Sequence, residues 1–360
     1  MMSGDGYVVR VRPRLARLTS AQAVGLCEAA MRFGAGLIDV TNRANIQIRG
    51  VTEADWPALM AALEGFDLLD PDAETESRRN IVVAPDWVEG DDTHRLTLDL
   101  LARLHDLPAL PPKMGFAIDA GPAPVLTAVS TDFRIERSAD GRLMLRADGR
   151  DAGLPLDQGA EINCLIRLVE WFATSGGVKA GRMARHHVPL PDWAQGSATP
   201  AATGPCLRAG PHDLGPVHGL TFGQVRACDL LQAITTSDAT ALRVTPWRVL
   251  LLEGGANGPH EGLLSDHDSP LMRVDACPGA PFCPQASVET RQLAARLAPK
   301  VQGRLHVSGC AKGCARMAAA EAVVIGNAGR YDIAMNARAG DTPVLTGLTL
   351  GQTLDHFGAA

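Results

Sequence analysis

Cys277-Pro278-Gly279-Ala280-Pro281-Phe282-Cys283 and, further on, His306-Val307-Ser308-Gly309-Cys310-Ala311-Lys312-Gly313-Cys314 hold four of the chain's eight cysteines. Thiolates bind soft metals, and sets of four serve zinc and iron–sulfur clusters alike, so spacing has to choose between them. Paired zinc cysteines stand roughly two to four residues apart, whereas five residues separate the first pair here and three the second. Pro278 and Pro281 stiffen the first loop and deny it helical hydrogen bonds, while Gly309 and Gly313 let backbone approach a bulky inorganic core. A four-iron, four-sulfur (4Fe-4S) cluster suits this spacing better than zinc. A zinc site and four buried thiols stay as the alternatives.

The rest of the chain sets bounds on what such a cluster serves. With 360 residues it has room for two or three domains and a sizeable core. Its net charge of −6 leaves a net-acidic surface, which does not neutralise phosphate, so nucleic acid and anionic membranes are set aside as partners. Met1 to Gly6 show no apolar leader core, and no run approaches the roughly 18 apolar residues of a membrane span, so a cytoplasmic protein is expected. Thiols stay reduced there, which favours metal binding over disulfides; Cys27, Cys164, Cys206 and Cys228 have no paired spacing and read as core or incidental. Arginine outnumbers lysine 30 to 4, so Lys113 and Lys312 stand out where they fall in motif-bearing stretches.

Outward from the cysteines, periodicity predicts the elements. Tyr7 to Val11 alternates as a strand with Arg10 and Arg12 on one face and Val9 and Val11 on the other. A helix from Ala21 to Phe33 follows, then a strand pair, Leu37 to Thr41 and Ile46 to Gly50, and a helix from Glu53 to Leu63; this β-α-β-β-α order suits a ferredoxin-like half-domain. A second copy is expected about two hundred residues later. Leu18-Thr19-Ser20-Ala21-Gln22 matches Leu220-Thr221-Phe222-Gly223-Gln224, and Ile38 to Thr41 matches Leu242 to Thr245, which predicts a pseudo-twofold arrangement. Further elements are expected as a helix from Ala160 to Ala173, a helix from Ser287 to Leu297, a strand from Arg304 to Val307 and a strand-bearing segment from Ala318 to Gly326.

Cys-x5-Cys followed by Cys-x3-Cys resembles the cluster signature of the sulfite and nitrite reductases, and the wording of both stretches is most similar to the precorrin-3B synthases of aerobic cobalamin biosynthesis. The resemblance covers roughly residues 7 to 120 and 215 to 330. It implies an α+β, sulfite/nitrite reductase-like fold of two ferredoxin-like half-domains in pseudo-twofold arrangement plus α/β cluster-binding domains. The expected boundaries are 7–66 for the first half-domain, 70–188 for a first α/β domain with the anion and macrocycle pocket and 189–216 for a linker. They continue with 217–262 for the second half-domain, 270–335 for the cluster-binding α/β region and 336–360 for a C-terminal tail.

The resemblance also implies roles. Cys277, Cys283, Cys310 and Cys314 would hold the cluster, and Arg10, Arg79 and Lys113 would act as catalytic cations. Thr41, Arg43 and Gln47, in the pattern Thr-x-Arg-x-x-x-Gln, would grip a tetrapyrrole's carboxylates, with Asn80 beside Arg79. Arg forks bind carboxylates bidentately, which is what a polyanionic macrocycle needs. Where the reductases have Lys-x-Lys, this chain has Lys113-Met114-Gly115; the lost charge weakens the reductase reading, and the glycine is expected to open space beside Lys113. The implied reaction is the O2-dependent hydroxylation of precorrin-3A with lactone formation, with sirohaem or a mononuclear iron left open beside the cluster. Electrons would come from NADH through a separate reductase, since no Gly-x-Gly-x-x-Gly opens a helix after a strand. The rival readings are a sirohaem-dependent sulfite or nitrite reductase, and a non-catalytic electron-transfer or tetrapyrrole-carrier protein.

Overall fold

A computed structural model describes residues 2–359 of the chain. The strand Gly6–Val11 pairs antiparallel with Ile46–Val51, which pairs in turn with Leu37–Val40. The register sets Arg10 and Asp39 on either side of Gln47, and Val9 and Ile38 on either side of Ile48. Because side chains alternate along a strand, one face of this sheet is apolar. Val9, Val11, Ile38, Val40, Ile46 and Ile48 are buried there under helices Ser20–Phe33 and Trp56–Gly65. The other face carries Arg10, Arg12, Asp39, Gln47 and Arg49.

A second such sheet, in the order Val217–Gly219, Val249–Glu253, Ala241–Val244, lies beside helix Ala227–Thr236. The two sheets exchange a strand. Gln224–Arg226 completes the first sheet on Leu37–Val40, and Arg17–Thr19 completes the second on Ala241–Val244. Each exchanged strand follows a tight turn with a left-handed non-glycine residue, Leu15 (φ 57°) in one copy and Phe222 (φ 58°) in the other.

The expected duplication is therefore present, but in part with another register. Leu15 matches Phe222, whereas sequence had set Leu18 against Leu220. The helices differ, at 14 and 10 residues, so no single offset relates the copies, and the Leu-Thr identity misleads. After the helix the predicted register holds: Ala44 (φ 54°) and Arg248 (φ 59°) occupy the same place in matching hairpins.

The repeat extends further than predicted. Ile81–Val83, Phe116–Asp119 and Phe133–Arg137 run parallel, then Leu143–Ala147 and Leu154–Pro155 continue antiparallel. Val274–Ala276, Leu305–Ser308 and Ala320–Asn327, followed by Arg330–Ala337 and Leu345–Leu348, repeat that pattern. In each sheet a helix joins the first two strands, Asp92–Ala102 or Arg291–Leu297, and another follows the last, Glu161–Thr174 or Leu350–His356.

Three expectations change accordingly. The stretch 336–360 is no tail: it supplies the last strand and helix of the second repeat, with Leu354 buried in the core. The helix expected from Ser287 starts only at Arg291, because the preceding residues bind the cysteine loops: Ser287 N–H donates to Gly309, and the Thr290 hydroxyl to the Cys277 carbonyl. Within the expected linker, Leu207 and Leu214 pack with Met272 onto Val217, Val249 and Leu251 of the second sheet. Among the described residues, no helix is long and apolar enough to cross a membrane.

Candidate functional site

Cys277 follows directly on the strand Val274–Ala276, and Cys310 comes two residues after Leu305–Ser308, so two parallel neighbours deliver both cysteine loops to one sheet end. The backbone then wraps inward. Gly279 is left-handed (φ 69°), and a Cβ there would stand 2.6 Å from the Thr290 hydroxyl oxygen and 2.9 Å from its backbone nitrogen. The Gly309 N–H donates to the Cys277 sulfur at 3.2 Å. Burial foremost pushes the Cys314 thiol pKa up; Lys312 opposes the shift, and Cys310, Cys277 and Cys283 add to it, which places all three near Cys314.

Among the described residues no three of these sulfurs lie mutually within 4.8 Å. The remaining cysteines are apart from them; Cys27 is fully buried, its thiol pushed up to about 12 mainly by desolvation.

A cavity of about 530 Å3 opens between Cys277 and Cys314 on one side and Thr41, Asn42 and Gln47 on the other. The Thr41 hydroxyl fixes its rim by accepting the N–H groups of Arg43 (3.3 Å) and Asn45 (3.1 Å). Arg43 then reaches across to donate to the Lys113 carbonyl at 3.0 Å. Burial, and next the like charge of Arg182, lower the Arg43 pKa; Arg182 is itself held by the buried Asp132 at 2.8 Å. Arg43 and Arg182 thus bring two like charges together, and Lys113 beside them is exposed; none of the three side chains lines the cavity next to the cysteines.

Arg10 lines a neighbouring cavity of about 420 Å3 together with Arg12 and Arg79, and Gln47 lines both cavities. Arg79 is engaged: Asp70 takes its Nε and Nη2 at 2.7 and 2.8 Å, and its Nη1 donates to the Arg12 carbonyl at 2.6 Å. Arg12 pairs with Glu76 at 3.1 Å. Of the three, Arg10 alone has no acidic partner among the described residues.

Asn80 is buried and donates to the Met114 carbonyl. Gly115, expected to open space beside Lys113, instead lies against Asn80: a Cβ would stand 2.9 Å from its amide nitrogen and 3.0 Å from its carbonyl oxygen. Close packing, not an opening into the site, requires glycine there.

The two copies divide the work. Arg10 pairs with Gln47 as Val217 pairs with Leu251, and Arg43 stands where the other hairpin has Trp247. Conversely, Ala84 follows its strand where Cys277 follows its own. Even the ion pair on the sheet is reversed, Asp39–Arg49 in the first copy (3.1 Å) against Arg243–Glu253 in the second (2.6 Å). The central cavity therefore lies between the charged face of one copy and the cysteine loops of the other.

Sequence reasoning missed part of its wall. Arg49 holds Asp5 at 2.9 Å, Ser3 at 3.0 Å and Asp39 at 3.1 Å, while Gln224 bridges Asp39 to Arg291. The Gly4 N–H and Ser3 hydroxyl donate to the Phe282 carbonyl, so the chain start latches the first cysteine loop. Arg49 was within reach, two residues after Gln47 on the same strand face.

The profile described as "Nitrite/Sulfite reductase ferredoxin-like half domain" matches residues 1–66. The chain is 30% identical to a precorrin-3B synthase of Sinorhizobium sp over 95% of its own length and 82% of the relative's. It is 23% identical to a ferredoxin–nitrite reductase of Synechococcus elongatus, over 91% of this chain and 77% of that one. The Mycobacterium tuberculosis NirA protein superposes with a TM-score of 0.59 at 16% identity, covering 97% and 79% of the two chains, a likeness of fold.

Proposed function

The chain belongs to the precorrin-3B synthase family within the sulfite and nitrite reductase superfamily, an oxidoreductase family, and from that premise we propose that it hydroxylates precorrin-3A with O2. One oxygen atom enters the macrocycle, which closes a lactone with a ring acetate. The other leaves as water, with two electrons and two protons supplied. The observation that carries this reading is the central cavity of about 530 Å3, bounded by Cys277 and Cys314 opposite Thr41 and Gln47.

Cys277, Cys283, Cys310 and Cys314 would hold a four-iron, four-sulfur cluster, which when bound supplies electrons one at a time. The residues around it do the rest. Arg43, steadied by the Thr41 turn and the Lys113 carbonyl, would take a carboxylate, and Gln47 would orient the ring from the sheet face. Arg10 and Lys113 carry free charge toward a carboxylate or a developing negative oxygen. Arg79 and Asn80 support them from behind, through Arg12 and Met114. With Asp70 neutralising Arg79, that side chain brings no net charge to a compact dianion such as sulfite, one cation fewer than the reductase reading needs. Electrons from NADH would arrive through a separate reductase.

The test is anaerobic purification followed by O2 uptake. The reduced protein should consume O2 only with precorrin-3A present and turn over sulfite and nitrite negligibly with an artificial donor. Sustained sulfite reduction would overturn the proposal. Iron beyond the cluster, as sirohaem or a mononuclear ion, is read in the same sample from its pigment and its iron-to-sulfide ratio.

A further inference from the structure

Sharing Asn42, Arg248 and Ala315 with the central cavity is a second one of about 600 Å3, whose walls carry five arginines. The buried Asp275 gathers three of them, Arg248 at 3.1 Å, Arg304 at 3.1 Å and Arg316 at 3.5 Å. One carboxylate offers too few oxygens for three guanidinium forks, and although Arg248 also donates to the Val274 and Met272 carbonyls and Arg316 to that of Ala319, donors are left over. The other two arginines have no acid at all. Arg273 donates one nitrogen to the Gln302 carbonyl while its buried Nε has no partner, and Arg208 has no partner among the described residues. The only other carboxylate lining the cavity is Asp268, on the exposed rim. Arg208 belongs to the stretch that joins the two copies.

A cavity with this excess of forked donors, open to a neighbour that takes a ring, matches several carboxylates carried on one rigid body. We propose that the arginine cavity receives carboxylate arms of the macrocycle whose edge occupies the central cavity, and that Arg208 and Arg273 make the site selective for a heavily carboxylated tetrapyrrole. This rests on the tetrapyrrole reading above. It adds a specificity-determining surface supplied by the second copy and the joining segment, which meets the Thr41–Gln47 turn at Asn42.

Two stable porphyrins test it, uroporphyrin III with eight carboxylates and coproporphyrin III with four, titrated anaerobically into the holoprotein by fluorescence quenching. Arg208→Ala and Arg273→Ala should each weaken uroporphyrin binding about tenfold or more. Coproporphyrin binding should change little, and Arg208→Lys should recover part of the loss. Neither residue touches Asp275 or a cysteine, so iron and sulfide content should match the parent protein and reports that the fold survives. Equal affinity of parent and both variants for uroporphyrin would overturn the inference, as would an equal loss for both porphyrins, which marks general charge attraction. If the parent protein with its iron and sulfide intact binds neither porphyrin, the tetrapyrrole reading itself falls, and this inference with it.

Discussion

Removing the Asp70 charge tests how Arg79 is used. The two side chains are 3% and 6% exposed, and three N–H···O contacts of 2.7, 2.8 and 3.0 Å join them. Deleting one partner of such a pair strands the other charge in a poorly solvated place, a cost of about 3–5 kcal/mol, whereas replacing both by apolar groups is often nearly neutral. Asp70→Leu and Arg79→Met should therefore each destabilise the protein by about that much, and the double variant by far less than their sum. Arg79→Met also deprives the Arg12 carbonyl of its donor, worth about a further 1 kcal/mol that the double variant does not recover. Urea titration of the anaerobically prepared holoprotein at pH 7 gives the cycle. Strictly additive single effects would refute the reasoning, because Arg79 would then stand free of Asp70 in solution and be open to a ligand.

Cys310→Ser should lose most iron and acid-labile sulfide, while Cys27→Ser, changing a thiol buried far from the loops, keeps both; equal loss would break the ligand assignment. Gly4→Ala places a Cβ 2.6 Å from the Pro281 carbonyl oxygen and 2.8 Å from the Phe282 backbone, so the first cysteine loop must shift. Faster bleaching of the cluster by a chelator, with porphyrin affinity kept, is the expected signature; an unchanged bleaching rate would remove the latch. Asp119, desolvated between strands, has its pKa raised to about 6 despite the N–H groups of Leu126 and Val125. A raised carboxyl stabilises the fold below its unfolded value near 3.8 and loses that contribution as pH rises through 6, on the order of 2–3 kcal/mol. Asp119→Asn should accordingly gain stability over the parent at pH 7 relative to pH 4.5, read from urea midpoints, and a constant difference between the two pH values would contradict the shift.

What could be read from sequence followed from local rules. Alternation placed Arg10 opposite Val9 and Val11 before any sheet was seen, and the same rule reaches Arg49 from Gln47. Cysteine spacing is local too, and the two loops it singled out do meet at one sheet end. Asp70 could not be assigned to Arg79 in this way, since an irregular turn separates them and pairing depends on how helix Ala73–Arg78 returns. The final strand Leu345–Leu348 looked like tail because an edge strand is half solvated, and only pairing with Tyr331 and Ile333 orders it. Gly115 was misjudged for a related reason: its neighbour Asn80 is remote in sequence.

The strand exchange governs how this chain can be made. Leu37–Val40 cannot acquire its outer neighbour until Gln224–Arg226 has left the ribosome, and Arg17–Thr19 waits for Ala241–Val244. During translation the first two hundred residues therefore present an unpaired edge, and closure of both sheets becomes a late, mutual event of high contact order. A break introduced between the copies would separate two polypeptides that each lack one strand of their own sheet and carry one belonging to the other. Such halves are built to find each other, and co-expression should restore what neither folds alone.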